Sequence, residues 1–126
     1  WYTAARETRE ETGLDLLALA DAGRATVLGA LDELYPRTPT LPPIVVRPHV
    51  VVVAADAVGP LALSAELAAA FWVPLARFAE PGVDATRAVT VRGATLRVPS
   101  FVHDGHVIWG MTERVLRGLL ARLSAA

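Results

Sequence analysis

The sequence predicts an α/β domain in which helices cover both faces of a central sheet, an α/β/α sandwich. Three stretches carry that expectation. Ile44 to Ala55 (IVVRPHVVVVAA) is rich in β-branched residues and lacks an apolar–polar alternation, as in a strand buried on both faces. Near the start, Ala4, Ala5, Thr8 and Thr12 share one side of a helical wheel, a face of small side chains that can lie close to a sheet. From Gly110 onward, Met111, Val115, Leu116, Leu119, Leu120 and Leu123 form one apolar stripe, so a second helix should cover the opposite side.

Composition supports one domain. A chain of 126 residues, 53% hydrophobic, can bury one core and not two. A net charge of −1 gives no electrostatic case for nucleic acid or an anionic membrane as partner. Without cysteine there is neither a disulfide framework nor thiol chemistry. No apolar run reaches the roughly 18 residues of a spanning helix, and no signal peptide is visible, so the expected location is cytoplasmic. All 12 basic residues are Arg, which with abundant Ala, Leu and Val reads as the codon bias of a GC-rich bacterial genome.

The first element is the most informative. In Arg6-Glu7-Thr8-Arg9-Glu10-Glu11-Thr12-Gly13-Leu14, the carboxylates Glu7, Glu10 and Glu11 stand at i, i+3 and i+4 and share one helical face. Like charges at these spacings cost a few tenths of a kcal/mol per pair. A hard divalent cation reverses that sign, because Mg²⁺ takes oxygen ligands from a few carboxylates and keeps positions for water and substrate phosphate. Arg6, one turn before Glu10, can hold that carboxylate in place. Gly13 is the left-handed C-cap, and Leu14 its apolar contact.

Leu14 to Ala22 follows directly on that cap and is expected to be a strand or extended link. Ala25 to Leu34 reads as a strand, with Gly29 marking a bulge or a close approach. Tyr35 to Pro43 holds four prolines in nine residues, excluding helix and central strand, and makes a loop long enough to border a binding site. Pro48 interrupts the following strand or marks its entry, and His49 at that break reads as a packed or hydrogen-bonded residue.

Beyond Gly59-Pro60, Ser64 is the expected N-cap of a short turn carrying Glu66. Phe71 to Leu75 is expected as a brief strand, and Pro74 as the opening of a short helix through Arg77 and Phe78. Gly82 to Arg87 reads as loop. Ala88 to Val91 and Ala94 to Val98 form a hairpin across Arg92-Gly93, and Asp104-Gly105 supplies a second turn before Val107-Ile108-Trp109. His103 and His106 flank that turn; their side chains are expected to diverge, which argues against zinc and for turn residues.

The acidic stretch resembles the second half of the Nudix box, Arg-Glu-U-x-Glu-Glu-x-Gly-U with U apolar, at Arg6, Glu7, Glu10, Glu11, Gly13 and Leu14; Thr8 departs from the usual aliphatic. The first half, Gly-x5-Glu, belongs upstream of Trp1, so residues 1–126 are expected to be one Nudix domain lacking its N-terminal strands and the start of the box. The resemblance implies a Nudix-type α/β/α sandwich with a mixed central sheet, and a loop–helix–loop that binds Mg²⁺ or Mn²⁺ to cleave a diphosphate. It makes Glu7 and Glu11 the principal metal ligands and Glu10 an additional ligand or water-orienting carboxylate. Arg6 becomes a structural partner within the catalytic group.

Glu66 ahead of Trp72-Val73-Pro74-Leu75 is similar to a Nudix passage whose carboxylate assists the metal site or positions water. Val98-Pro99-Ser100-Phe101, Ile108-Trp109-Gly110-Met111-Thr112 and Leu41-Pro42 resemble the coenzyme A pyrophosphatase branch. The implied activity is hydrolysis of coenzyme A to 3′,5′-ADP and 4′-phosphopantetheine, with a small nucleotide substrate as partner and a homodimer as a possible assembly. Two alternatives stay open: another Nudix substrate such as ADP-ribose, a dinucleotide or a nucleotide sugar, or a Nudix-like binding domain without turnover.

Overall fold

A computed structural model describes residues 1–37 and 43–125 of the chain, so Leu41-Pro42 and most of the proline-rich loop lie outside the described residues. The fold is mixed α and β, with two antiparallel sheets. It divides into two compact units, Trp1–Leu31 with Arg47–Phe71, and Asp32–Val46 with Trp72–Ala126.

In the first unit, α1 (Tyr2–Thr12) ends on Gly13 with φ 77°, and the Gly13 N–H donates to the Arg9 carbonyl at 2.8 Å. The left-handed cap is thus the one the sequence requires. On its small-residue face Ala5 is buried, 2% exposed. Thr8 and Thr12 sit half-buried because their hydroxyls donate back to the carbonyls of Ala4 and Thr8, at 2.8 and 2.7 Å.

The next stretch corrects the extended-link expectation. Leu16–Asp21 is a second helix, α2, started by Asp15, whose Oδ1 accepts from the Ala18 N–H at 3.0 Å. An Asp whose side chain accepts from the amide three residues on is an N-cap, and buried Leu16 gives the short helix its apolar anchor.

Strand β1 (Ala25–Ala30) pairs antiparallel with β2 (His49–Val53), and the register shifts between Val27 and Gly29, where Gly29 takes φ 136°. The expected bulge is present. Both strands are shorter than expected. Pro48 has no N–H to give a ladder, so β2 begins at His49. The expectation that Ile44 to Ala55 is buried on both faces fails: among the described residues β2 has only β1 as neighbour, and Val52 is exposed. His49 is packed, its ring 6.0 Å from that of Trp1.

In the second unit, a bridge joins Leu34 to Val46. The strand expected from Phe71, the last residue of the first unit, to Leu75 does not form; Pro74 leads instead into a 3₁₀ helix, Leu75–Ala79, as its fixed φ favours. Strand β3 (Asp84–Val91) begins inside the expected loop, followed by β4 (Ala94–His103) and β5 (His106–Trp109) in an antiparallel meander. Both turns place two residues at positive φ, Arg92-Gly93 at 50° and 78° and Asp104-Gly105 at 46° and 78°, as type I′ hairpins need. The two-residue turn sets His103 directly opposite His106, so these side chains share a face instead of diverging.

Helix α3 (Met111–Ala125) follows Gly110 at φ 71° and packs on β4 and β5. Phe101, 2% exposed, is the centre: Phe78 meets it edge-on at 5.0 Å, and the Arg117 guanidinium lies 4.5 Å from its ring centroid. Arg117 also donates to both Asp84 carboxylate oxygens, at 2.8 and 2.9 Å, and to Glu113 at 2.6 Å. These bonds neutralise the buried Glu113. The Asp84 carboxyl is held below its ordinary value chiefly by the hydrogen bond from Arg117, and that bond likewise raises the Arg117 pKa.

Among the described residues no helix is long and apolar enough to cross a membrane.

Candidate functional site

The acidic face lies in the first unit, on the last two turns of α1. Glu7, Glu10 and Glu11 are all exposed. Their roles separate at once. Arg6 Nη1 donates to both Glu10 oxygens, at 3.0 and 3.2 Å, the one-turn pairing its position implies. With about half of each side chain exposed, the pair contributes roughly 0.3–0.5 kcal/mol, so its consequence is orientation rather than stability. Among the described residues Glu7 and Glu11 carry no ion pair or side-chain hydrogen bond.

The C-terminal end of α1 is fixed from the second half of the unit. The Ala62 N–H donates to the Thr12 carbonyl at 2.8 Å and the Ser64 N–H to the Glu11 carbonyl at 2.9 Å. Two of the helix's last free carbonyls are satisfied this way. The same bonds tie down the segment leading into the turn that carries Glu66, closed by the Leu67 N–H on the Ser64 carbonyl at 3.1 Å. Ser64 does not cap that turn; its hydroxyl is buried with no partner among the described residues. Glu66 is exposed, two residues beyond the contact with Glu11.

Among the described residues, no group of three or more His, Asp or Glu is gathered closely enough to hold a metal ion. Glu7 and Glu11, one turn apart with free oxygens, remain as a two-carboxylate set. Mg²⁺ is commonly held by one or two carboxylates together with water and substrate phosphates, so this pair fits such an ion. Glu10, turned onto Arg6, stands beside the set.

Two features escaped the sequence reading. Ala62, as the backbone partner of α1, carries no chemical signal in its side chain. A cavity of about 460 Å³ in the second unit is lined by Trp109, Met111, Arg37 and Arg114 among others. Its sequence trace is a Trp-Gly pair at a strand-to-helix junction.

No protein-family model matches the chain, and no curated protein matches it.

Proposed function

We propose that the chain is a Nudix-type pyrophosphohydrolase that cleaves the diphosphate linkage of a nucleoside diphosphate derivative, with coenzyme A as the leading substrate. The observation that carries this reading is the end of α1: two unpaired glutamates one turn apart, a third oriented by Arg6, and a left-handed Gly13 closing the helix. The pairing of Arg6 with Glu10 supports the structural part given to Arg6. An α/β/α sandwich belongs to the same proposal.

Glu7 and Glu11 hold a divalent cation, Mg²⁺ or Mn²⁺. When bound, the ion supplies charge neutralisation on the diphosphate and a more acidic water. The chain's own groups do the rest. Glu10, kept in place by Arg6, orients the attacking water or adds a ligand. A carboxylate, Glu10 or Glu66, accepts the proton as the water oxygen bonds to phosphorus and the anhydride P–O bond breaks. With coenzyme A the products are 3′,5′-ADP and 4′-phosphopantetheine.

A second reading, a Nudix-like binding domain without turnover, is favoured by one observation, the lack of a three-ligand acidic group among the described residues. A screen of coenzyme A, ADP-ribose, NADH and diadenosine polyphosphates with Mg²⁺ or Mn²⁺ separates the readings. Release of 3′,5′-ADP from coenzyme A is the expected result. Turnover of another substrate alone moves the assignment within the family, and no turnover with any of them supports the binding domain.

A further inference from the structure

The cavity beside Trp109 has the make-up of a small-ligand site. Its volume of about 460 Å³ falls within the range of small-molecule pockets, roughly 300–1,000 Å³. Alternation along β4 places Leu96 and Val98 on one face, and the pairing of Ser100 with Trp109 puts the indole on that same face. Met111, in the first turn of α3, and Pro36 complete an apolar wall. Trp109 is 40% exposed, which leaves indole surface available for stacking.

Charge decides what such a wall would receive. The cavity lining includes Arg37, Arg114 and Glu113. Glu113 is 5% exposed and accepts from Arg117 at 2.6 Å, so its charge is already matched inside the protein. The two guanidiniums therefore set the sign of the site. Arg114 is held by donating one N–H to the Tyr35 carbonyl at 2.6 Å, and a guanidinium has five N–H donors, so others remain for an anion. Arg37 is exposed. An aromatic wall with two arginines suits a planar ring that carries a phosphate, since guanidinium matches phosphate geometry and the indole offers a stacking face.

We propose that this cavity, formed within the second unit, binds a small planar aromatic phosphate, for which AMP serves as the probe. Its lining contains none of the acidic residues of α1, and it requires no divalent ion. The test is calorimetric titration of the full chain in EDTA with AMP, adenosine and inorganic phosphate. AMP is expected to bind more tightly than either adenosine or phosphate.

Arg37→Gln is expected to weaken AMP roughly tenfold while leaving adenosine unchanged, and Trp109→Leu to weaken both. Equal AMP affinity in wild type and Arg37→Gln, phosphate binding as tight as AMP, or no AMP binding at millimolar concentration overturns the proposal. Arg37 is exposed, so its variant keeps the test valid if Trp109→Leu fails to fold. EDTA removes the ion that the hydrolase reading needs, so failure here leaves that reading untouched.

Discussion

Gly13 lies so near Ala62 that a Cβ built on the glycine would stand 3.1 Å from the Ala62 Cβ. The contact occurs where Ala62 donates its N–H to the Thr12 carbonyl, so the helix end meets both the backbone and the methyl group of the returning segment. Gly13 thus satisfies two demands, a positive φ and a close approach.

Those demands can be separated. A left-handed residue with a side chain costs about 1–2 kcal/mol. Gly23, at φ 71° with nothing within 4 Å of a built Cβ, carries only that cost, whereas Gly13→Ala adds a collision with Ala62. Urea midpoints should fall for both variants and further for Gly13→Ala. Equal losses would show that the Ala62 approach is relaxed without cost.

A pH dependence follows from Asp84. Its folded pKa is lowered, chiefly by the hydrogen bond from Arg117, so the unfolded chain binds the proton more readily. The stabilisation is present above the ordinary aspartate range, near pH 3.9, and is lost as pH falls through the folded value. The thermal midpoint of wild type should exceed that of Asp84→Asn at pH 6, with the gap closing as the pH drops below 4. A gap that is constant with pH would rule out the carboxylate as its source.

Arg117 also screens Glu113. Replacing it with Met leaves a buried carboxylate without its cation, at a cost of about 1–3 kcal/mol, and removes the cation from the Phe101 ring. Pairing Arg117→Met with Glu113→Gln should recover part of that loss in chemical denaturation. No recovery would mean that the cost lies in the Phe101 and Asp84 contacts.

Glu11→Gln should abolish Mg²⁺-dependent turnover of the diphosphate substrate with the far-UV circular dichroism unchanged, because Glu11 is exposed and has no partner among the described residues to lose. Undiminished activity would remove it from the metal site.

What the sequence made legible is what local chemistry decides. Gly13 after a helical run, Arg92-Gly93 and Asp104-Gly105 each specify a backbone conformation, and each takes it. The stripe from Met111 to Leu123 gives α3, and the i, i+4 relation of Arg6 and Glu10 gives their ion pair. Errors came where tertiary context or a short signal ruled. Asp15 caps α2 within three residues of the preceding helix's cap, a spacing read as too tight for a second helix. The β-branched run from Ile44 to Ala55 predicts burial on both faces, but composition reports strand preference and not the number of neighbours. Asp84 to Arg87 joins a strand through its register with β4, which nothing local announces. At the site, the helix and the identity of its acids were visible, while the division between a tethered Glu10 and the free pair Glu7 and Glu11 required coordinates.

The most direct measurement is Mn²⁺ binding, followed by electron paramagnetic resonance, in wild type, Glu7→Gln, Glu11→Gln and the double variant. We expect wild type to bind the ion, each single variant to bind it at least tenfold more weakly, and the double variant to show no specific site. Undiminished Mn²⁺ binding in the double variant would contradict the assignment of the α1 glutamates as the metal-holding pair.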